Sequence, residues 1–155
     1  MDHESSLTKA DDYFPSQYTK KEFRQGIIAL QSEMLKDKNS KTPDKDPEFN
    51  PLKHTFCKHQ YIRDMFIPAG EMLVTKIHKV EHPFFFLQGE MSILSEEGEI
   101  RINAPYYGVT TKGTKRVILA HTDCTFVTVH PTDKTDLAEI EDELIAKDYK
   151  ELEVA

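Results

Sequence analysis

The sequence predicts a mainly β fold: one antiparallel jelly roll of two packed sheets, with an amphipathic helix at each end. Three observations carry that expectation. About eight short apolar segments with strand-like alternation crowd into the stretch from Tyr61 to His130. No helical pattern separates them, so parallel strands joined by crossover helices are excluded and a double-sheet antiparallel roll remains. At both ends the apolar period lengthens to that of a helix, and the composition turns polar and charged.

Taken in order, Met1–Ser16 reads as polar and extended. Thr19 and Glu22 have the spacing of a capping box, in which each side chain satisfies an orphan amide of a helix start. Phe23, Ile27, Leu30 and Met34 then form one apolar stripe on a helix from about Lys20 to Lys36. Such a stripe packs on its own domain or docks on another subunit. Asp37–Pro51 holds three prolines and many charges and reads as a linker. Expected strands are Tyr61–Ile67, Met72–His78, Pro83–Gln88, Met91–Leu94, Glu99–Ile102, Tyr106–Thr110, Arg116–Ala120 and Cys124–His130. Turn residues punctuate them at Pro68–Gly70, Glu96–Gly98, Lys112–Gly113 and Thr122–Asp123. From Thr132 to Ala155 a single acidic amphipathic helix is expected, started by Asp136 and Glu139, with Leu137, Ile140 and Leu144 on its apolar face. The organisation is thus a 1–52 arm, a 53–131 roll and a 132–155 helix.

Composition narrows the function classes. The 155 residues suffice for one real core. A net charge of −7 argues against nucleic acid as a partner. No apolar run reaches the roughly 18 residues of a membrane span, and the start MDHESSLTKADD lacks the pattern of an export signal. Two cysteines, Cys57 and Cys124, make no disulfide framework; they read as buried, unreactive thiols in a reducing cytosol.

The densest polar chemistry lies between Gly70 and Gly89. His78 and His82, on one continuous strand, would stand about 13 Å apart at roughly 3.3 Å per residue. A chain reversal at Lys79–Glu81 instead sets them about 5 Å apart on neighbouring strands. The spacing Gly70, Lys76, His78, His82, Gly89 resembles the first cupin motif, with Lys76 where that motif has a histidine and His82 where it has a glutamate. Thr111-Lys112-Gly113 and Arg116 resemble a weaker second motif, with Arg116 in place of its last histidine. The wording FIPAGEMLVTKIHK, GTKRVILAHTD and TVHPTDKTDLAEIEDELIAKDY further resembles small single-domain cupin proteins encoded by tailed bacteriophages, over Tyr61–Tyr149. That resemblance implies the fold, a host-cytoplasmic or virion location, and no defined activity.

Two chemistries follow from these residues. His78 and His82 are candidate ligands for a divalent metal (Fe, Mn, Ni or Zn), with His121 or His130 as a third. A catalytic site needs about three protein ligands, however, so a hydrogen-bonded pair of histidines is the plainer reading. Lys76 and Arg116, if both face inward beside Phe84, Phe86, Tyr106 or Tyr107, suit a carboxylate or phosphate; ion pairing at the rim is their plainer role. Phe84-Phe85-Phe86 alternates faces, one for the core and one for a subunit contact. Three functions are weighed, and the first is the reading preferred. The first is a non-enzymatic assembly or binding module, forming a homo-oligomer or docking other phage proteins through its arm and terminal helices. The others are a metal-dependent isomerase or dioxygenase and a small-anion or nucleotide-binding module.

Overall fold

The computed structural model describes residues 10–43 and 45–154. Helix α1 spans Lys20–Lys36, and its start is the expected reciprocal box: the Glu22 amide donates to Thr19 Oγ1 and the Thr19 amide to Glu22. Ten strands follow: β1 Leu52–Cys57, β2 Gln60–Ile67, β3 Met72–Val74, β4 Ile77–His78, β5 His82–Gln88, β6 Glu90–Ser95, β7 Gly98–Asn103, β8 Tyr106–Thr110, β9 Val117–Ala120 and β10 Cys124–Pro131. Then come α2 Leu137–Leu144, the short strand β11 Ile145–Ala146, and α3 Tyr149–Val154.

All pairing is antiparallel. One sheet runs β1-β2-β10-β5-β8 and faces a second, β3-β9-β6-β7, while β4 pairs only with β11. Phe84, Phe86 and Phe126 from the first sheet meet Met91, Ile93, Ile102 and Ile118 from the second, which makes the dry core. The second sheet is covered on its back as well. There Phe23, Ile27 and Leu30 of α1 bury Leu94 and Val117, with Met72 and Val74 beside them. Burial on both faces explains why β9, Val-Ile-Leu-Ala, is apolar throughout rather than alternating.

Several expectations need correction. Residues 1–9 lie outside the described residues, but from Ala10 onward the start turns rather than extends, and two of its side chains are buried although Asp11, Asp12, Pro15 and Ser16 stay exposed. Ala10 and Phe14 are buried under α1, in turns closed by Tyr13 and Phe14 amides on the Ala10 and Asp11 carbonyls. Their close approach requires Gly26: a Cβ there would lie 2.4 Å from the Tyr13 carbonyl oxygen and 2.7 Å from the Phe14 ring. Strand β1 was not expected from the sequence, and Met72–His78 is two strands rather than one. The break falls at Thr75, whose amide donates to the Arg116 carbonyl and whose hydroxyl accepts from the Arg116 amide. The C-terminal helix is also two. Ile145 and Ala146 leave the helix to pair with His78 and Ile77, and Asp148 restarts it by accepting from the Glu151 amide. Cys57 is exposed; only Cys124 is buried.

Candidate functional site

The inward positions of three adjacent strands change character along their length. On β2 they are Tyr61, Arg63, Met65 and Ile67; on β10, His130, Thr128, Phe126 and Cys124, directly opposite them. On β5 they are His82, Phe84 and Phe86, alternating with exposed Pro83, Phe85 and Leu87. The roll is therefore apolar at one end and polar at the other. Gly108 of β8 lets Phe84 lie flat across its strand, since a Cβ there would come within 2.8 Å of the ring. Arg116 stacks on the same ring, with its Cζ 5.2 Å from the centroid.

At the polar end three imidazoles meet. The rings of His82 and His130 are 4.2 Å apart, His78 and His82 4.6 Å, and His78 and His130 6.2 Å. The expected reversal after His78 thus brings the first two histidines together, although not as a hairpin: β4 pairs with β11, and β5 with β8 and β10. His130 supplies the third ring. His121 is elsewhere, with its Nε2 2.7 Å from Ser92 Oγ. Lys76 is exposed and ion-paired with Glu141, so it does not share an interior pocket with Arg116. The cation that faces the cluster alongside Arg116 is Arg63, which the sequence reading passed over. The signal was there, because an arginine two residues from Tyr61 and Met65 falls on the inward face of β2.

Electrostatics follow from this geometry. Burial, reinforced by His82, His130, Arg116 and Arg63, drives His78 down to about 2. Burial, then His82 and Arg63, takes His130 to about 3, and burial lowers His82 against the pull of the Val80 carbonyl. All three are neutral at physiological pH. Burial also lowers Arg63 and Arg116, but guanidinium stays protonated in proteins. Among the described residues neither arginine makes an ion pair.

Tautomers add detail. His82 Nδ1 lies 2.9 Å from the Val80 carbonyl oxygen, which can only accept, so Nδ1 carries the proton. Its Nε2 is then a bare lone pair, and among the described residues it is buried without a hydrogen-bond partner; His78 Nδ1 is likewise buried without one. His130 Nε2 is 2.8 Å from Thr128 Oγ1. A second network, His54 Nδ1 to the Tyr61 hydroxyl at 2.6 Å, backs the cluster where Tyr61 stacks on His130 at 5.7 Å.

A divalent metal fits this donor set poorly. Among the described residues no group of three His, Cys, Asp or Glu is placed to hold one. Two guanidinium charges face the imidazoles and would repel a cation held there.

No protein-family model and no curated protein sequence matches the chain. Solved structures do. Ectoine synthase from P. lautus aligns with 18% identity and a TM-score of 0.50, over 59% of this chain and 70% of that one. A cupin superfamily protein from Desulfitobacterium hafniense aligns with 12% identity and a TM-score of 0.47, over 56% and 80%. A cupin domain from Bordetella pertussis aligns with 13% identity and a TM-score of 0.43, over 54% and 93%. The architecture is that of a cupin jelly roll with a helix packed at each end. These likenesses concern the fold alone.

Proposed function

We propose that this cupin-fold chain is a non-enzymatic binding module for a small anion that also carries a hydroxyl, such as a hydroxy acid or a phosphate monoanion. One observation carries the reading: two guanidiniums that make no ion pair among the described residues face three neutral imidazoles at one end of the roll. Charges held without an ion pair and a buried lone pair without a donor are costly, and a ligand supplying the complements lowers that cost. Arg63 and Arg116 would hold the anionic group, Arg63 standing where the sequence suggested Lys76. The His82 Nε2 lone pair would accept from the hydroxyl, and the imidazoles would set orientation.

The test is calorimetry with lactate, glycolate and inorganic phosphate on untagged protein. Binding that disappears in Arg63→Met/Arg116→Met, while the fold survives by circular dichroism, supports the reading. Absence of heat with every probe overturns it.

A second reading, an assembly module of a phage particle, is favoured by a different observation. The outer face of β5 and its neighbour β8 exposes Phe85, Leu87, Tyr107 and Val109, an apolar patch suited to a subunit or another phage protein. Light scattering of the purified chain and mass spectrometry of purified particles test it. A monomer that is absent from particles removes it.

A further inference from the structure

The polar end of the roll is covered by α2, and each histidine of the cluster is joined to that helix by one link. Ile140 and Leu144 bury against Tyr61 and Val80. Tyr61 stacks on His130, the Val80 carbonyl holds His82, and Ile145, immediately after α2, pairs with His78. Displacing α2 therefore loosens the surroundings of all three imidazoles together.

What holds α2 in place is slight. Two apolar side chains are buried. The Lys79 amide donates to the Leu144 carbonyl at 2.8 Å, and Lys79 Nζ to the Asp142 carbonyl at 2.9 Å. Among the described residues the further fastenings include the two-residue β11–β4 pair and ion pairs at the surface, Lys76–Glu141 and Lys134–Glu143. Exposed pairs of that kind contribute little. An eight-residue helix does not persist undocked, so α2 is either seated and helical or released. Residues 132–136 before it and 147–148 after it lie outside helices and strands and can act as hinges.

The helix also carries a carboxylate to the rim. Glu141 pairs with Lys76 and lies close enough to Arg63 to favour its charged form. Resting on the anion reading above, we propose that α2 is a hinged cover over the imidazole cluster, and that its Glu141 competes with the incoming anion for the cationic rim. Binding then requires α2 to lift and Glu141 to give way. Among anions, those with a compact second group that fits beneath a reseated helix are retained, and long-chain ones are refused.

The experiment combines amide hydrogen exchange with calorimetry on the full chain, using inorganic phosphate and lactate as probes. Peptides covering 137–146 should exchange roughly tenfold or more faster than those covering β9, and should slow when either probe is added. Glu141→Gln, an exposed and conservative change, should bind both probes about two- to fivefold more tightly than the wild type. Exchange in α2 as slow as in β9 and indifferent to the probes overturns the cover. Unchanged affinity in Glu141→Gln overturns the competition. If neither protein binds either probe, the anion reading and the competition fall together, and the exchange of α2 alone still decides whether it is a cover.

Discussion

The two ends of one roll, built by the same three strands, differ in chemistry. Toward one end β2, β5 and β10 present Ile67, Phe86 and Phe126, all within the dry core. Toward the other they present Tyr61, Arg63, His82, Thr128 and His130. The strands would pair as well with apolar residues throughout, so pairing does not demand the polar set. Burying three neutral imidazoles and two guanidiniums opposes folding, while each buried phenylalanine favours it. On the anion reading, a bound ligand offsets that cost.

The sharpest way to break this contrast is to mutate each end in turn. Phe86→Ala should cost about 3–5 kcal/mol by loss of buried area and a residual cavity. Arg63→Met/Arg116→Met should leave stability unchanged or raise it by up to about 4 kcal/mol, while abolishing anion binding. Paired urea titrations and calorimetry check both. A double variant as damaged as Phe86→Ala would make the polar end structural.

Acid should act on the polar end next. His78 at about 2 and His130 at about 3 lie below the ordinary histidine value of 6.5, so below 6.5 the unfolded chain binds protons that the native chain refuses. Their contribution is complete above 6.5 and is lost as pH falls from there toward the folded values, by up to about 1.4 kcal/mol per pH unit for each histidine. Urea midpoints between pH 7 and pH 4 should drop, and the drop should flatten in His78→Asn/His130→Asn. A wild-type midpoint that holds constant across that range would contradict neutral burial.

Metal content sharpens the comparison from another side. Protein purified without a tag should carry iron, manganese, nickel and zinc well below one ion per chain, and adding any of them should leave the melting temperature unchanged. A stoichiometric ion would turn the polar end into a coordination site.

The smallest effect concerns Glu71, away from the histidine cluster. Burial raises its carboxyl to about 7, against the pull of Asn50, whose Nδ2 donates at 2.6 Å. A raised acid stabilises fully below its unfolded value of 4.5 and loses that contribution as pH rises through about 7. Glu71→Gln should therefore gain on the order of 1 kcal/mol at pH 8 and nothing at pH 4, the mirror image of the histidine effect.

How much of this was legible in the sequence depended on whether local period and burial agreed. Helix α1 was, because its cap and its stripe at Phe23, Ile27 and Leu30 point the same way. Tyr106–Thr110 was, to the residue. The meeting of His78 and His82 was legible as a reversal, but not their strand partners, since β4 pairs with β11 from some 70 residues further on. Lys76 was a conditional inward cation because it stands where the first motif has a histidine, with ion pairing at the rim as its plainer role. The strand breaks at Thr75, and Lys76 turns outward to Glu141. Arg63 was missed because attention followed a motif rather than the parity of β2. The division of the C-terminal helix was readable in Asp148 and Glu151, a second capping pair hidden behind an apparently continuous stripe.

Gly26 has a practical consequence for anyone who cuts the gene. By letting Tyr13 and Phe14 press on α1, it makes residues from Ala10 onward part of the wall that keeps water from Leu94 and Val117. A fragment trimmed to begin at Leu52 would keep every barrel strand yet bare that greasy back. It should precipitate on expression, whereas one begun at Ala10 should stay dissolved.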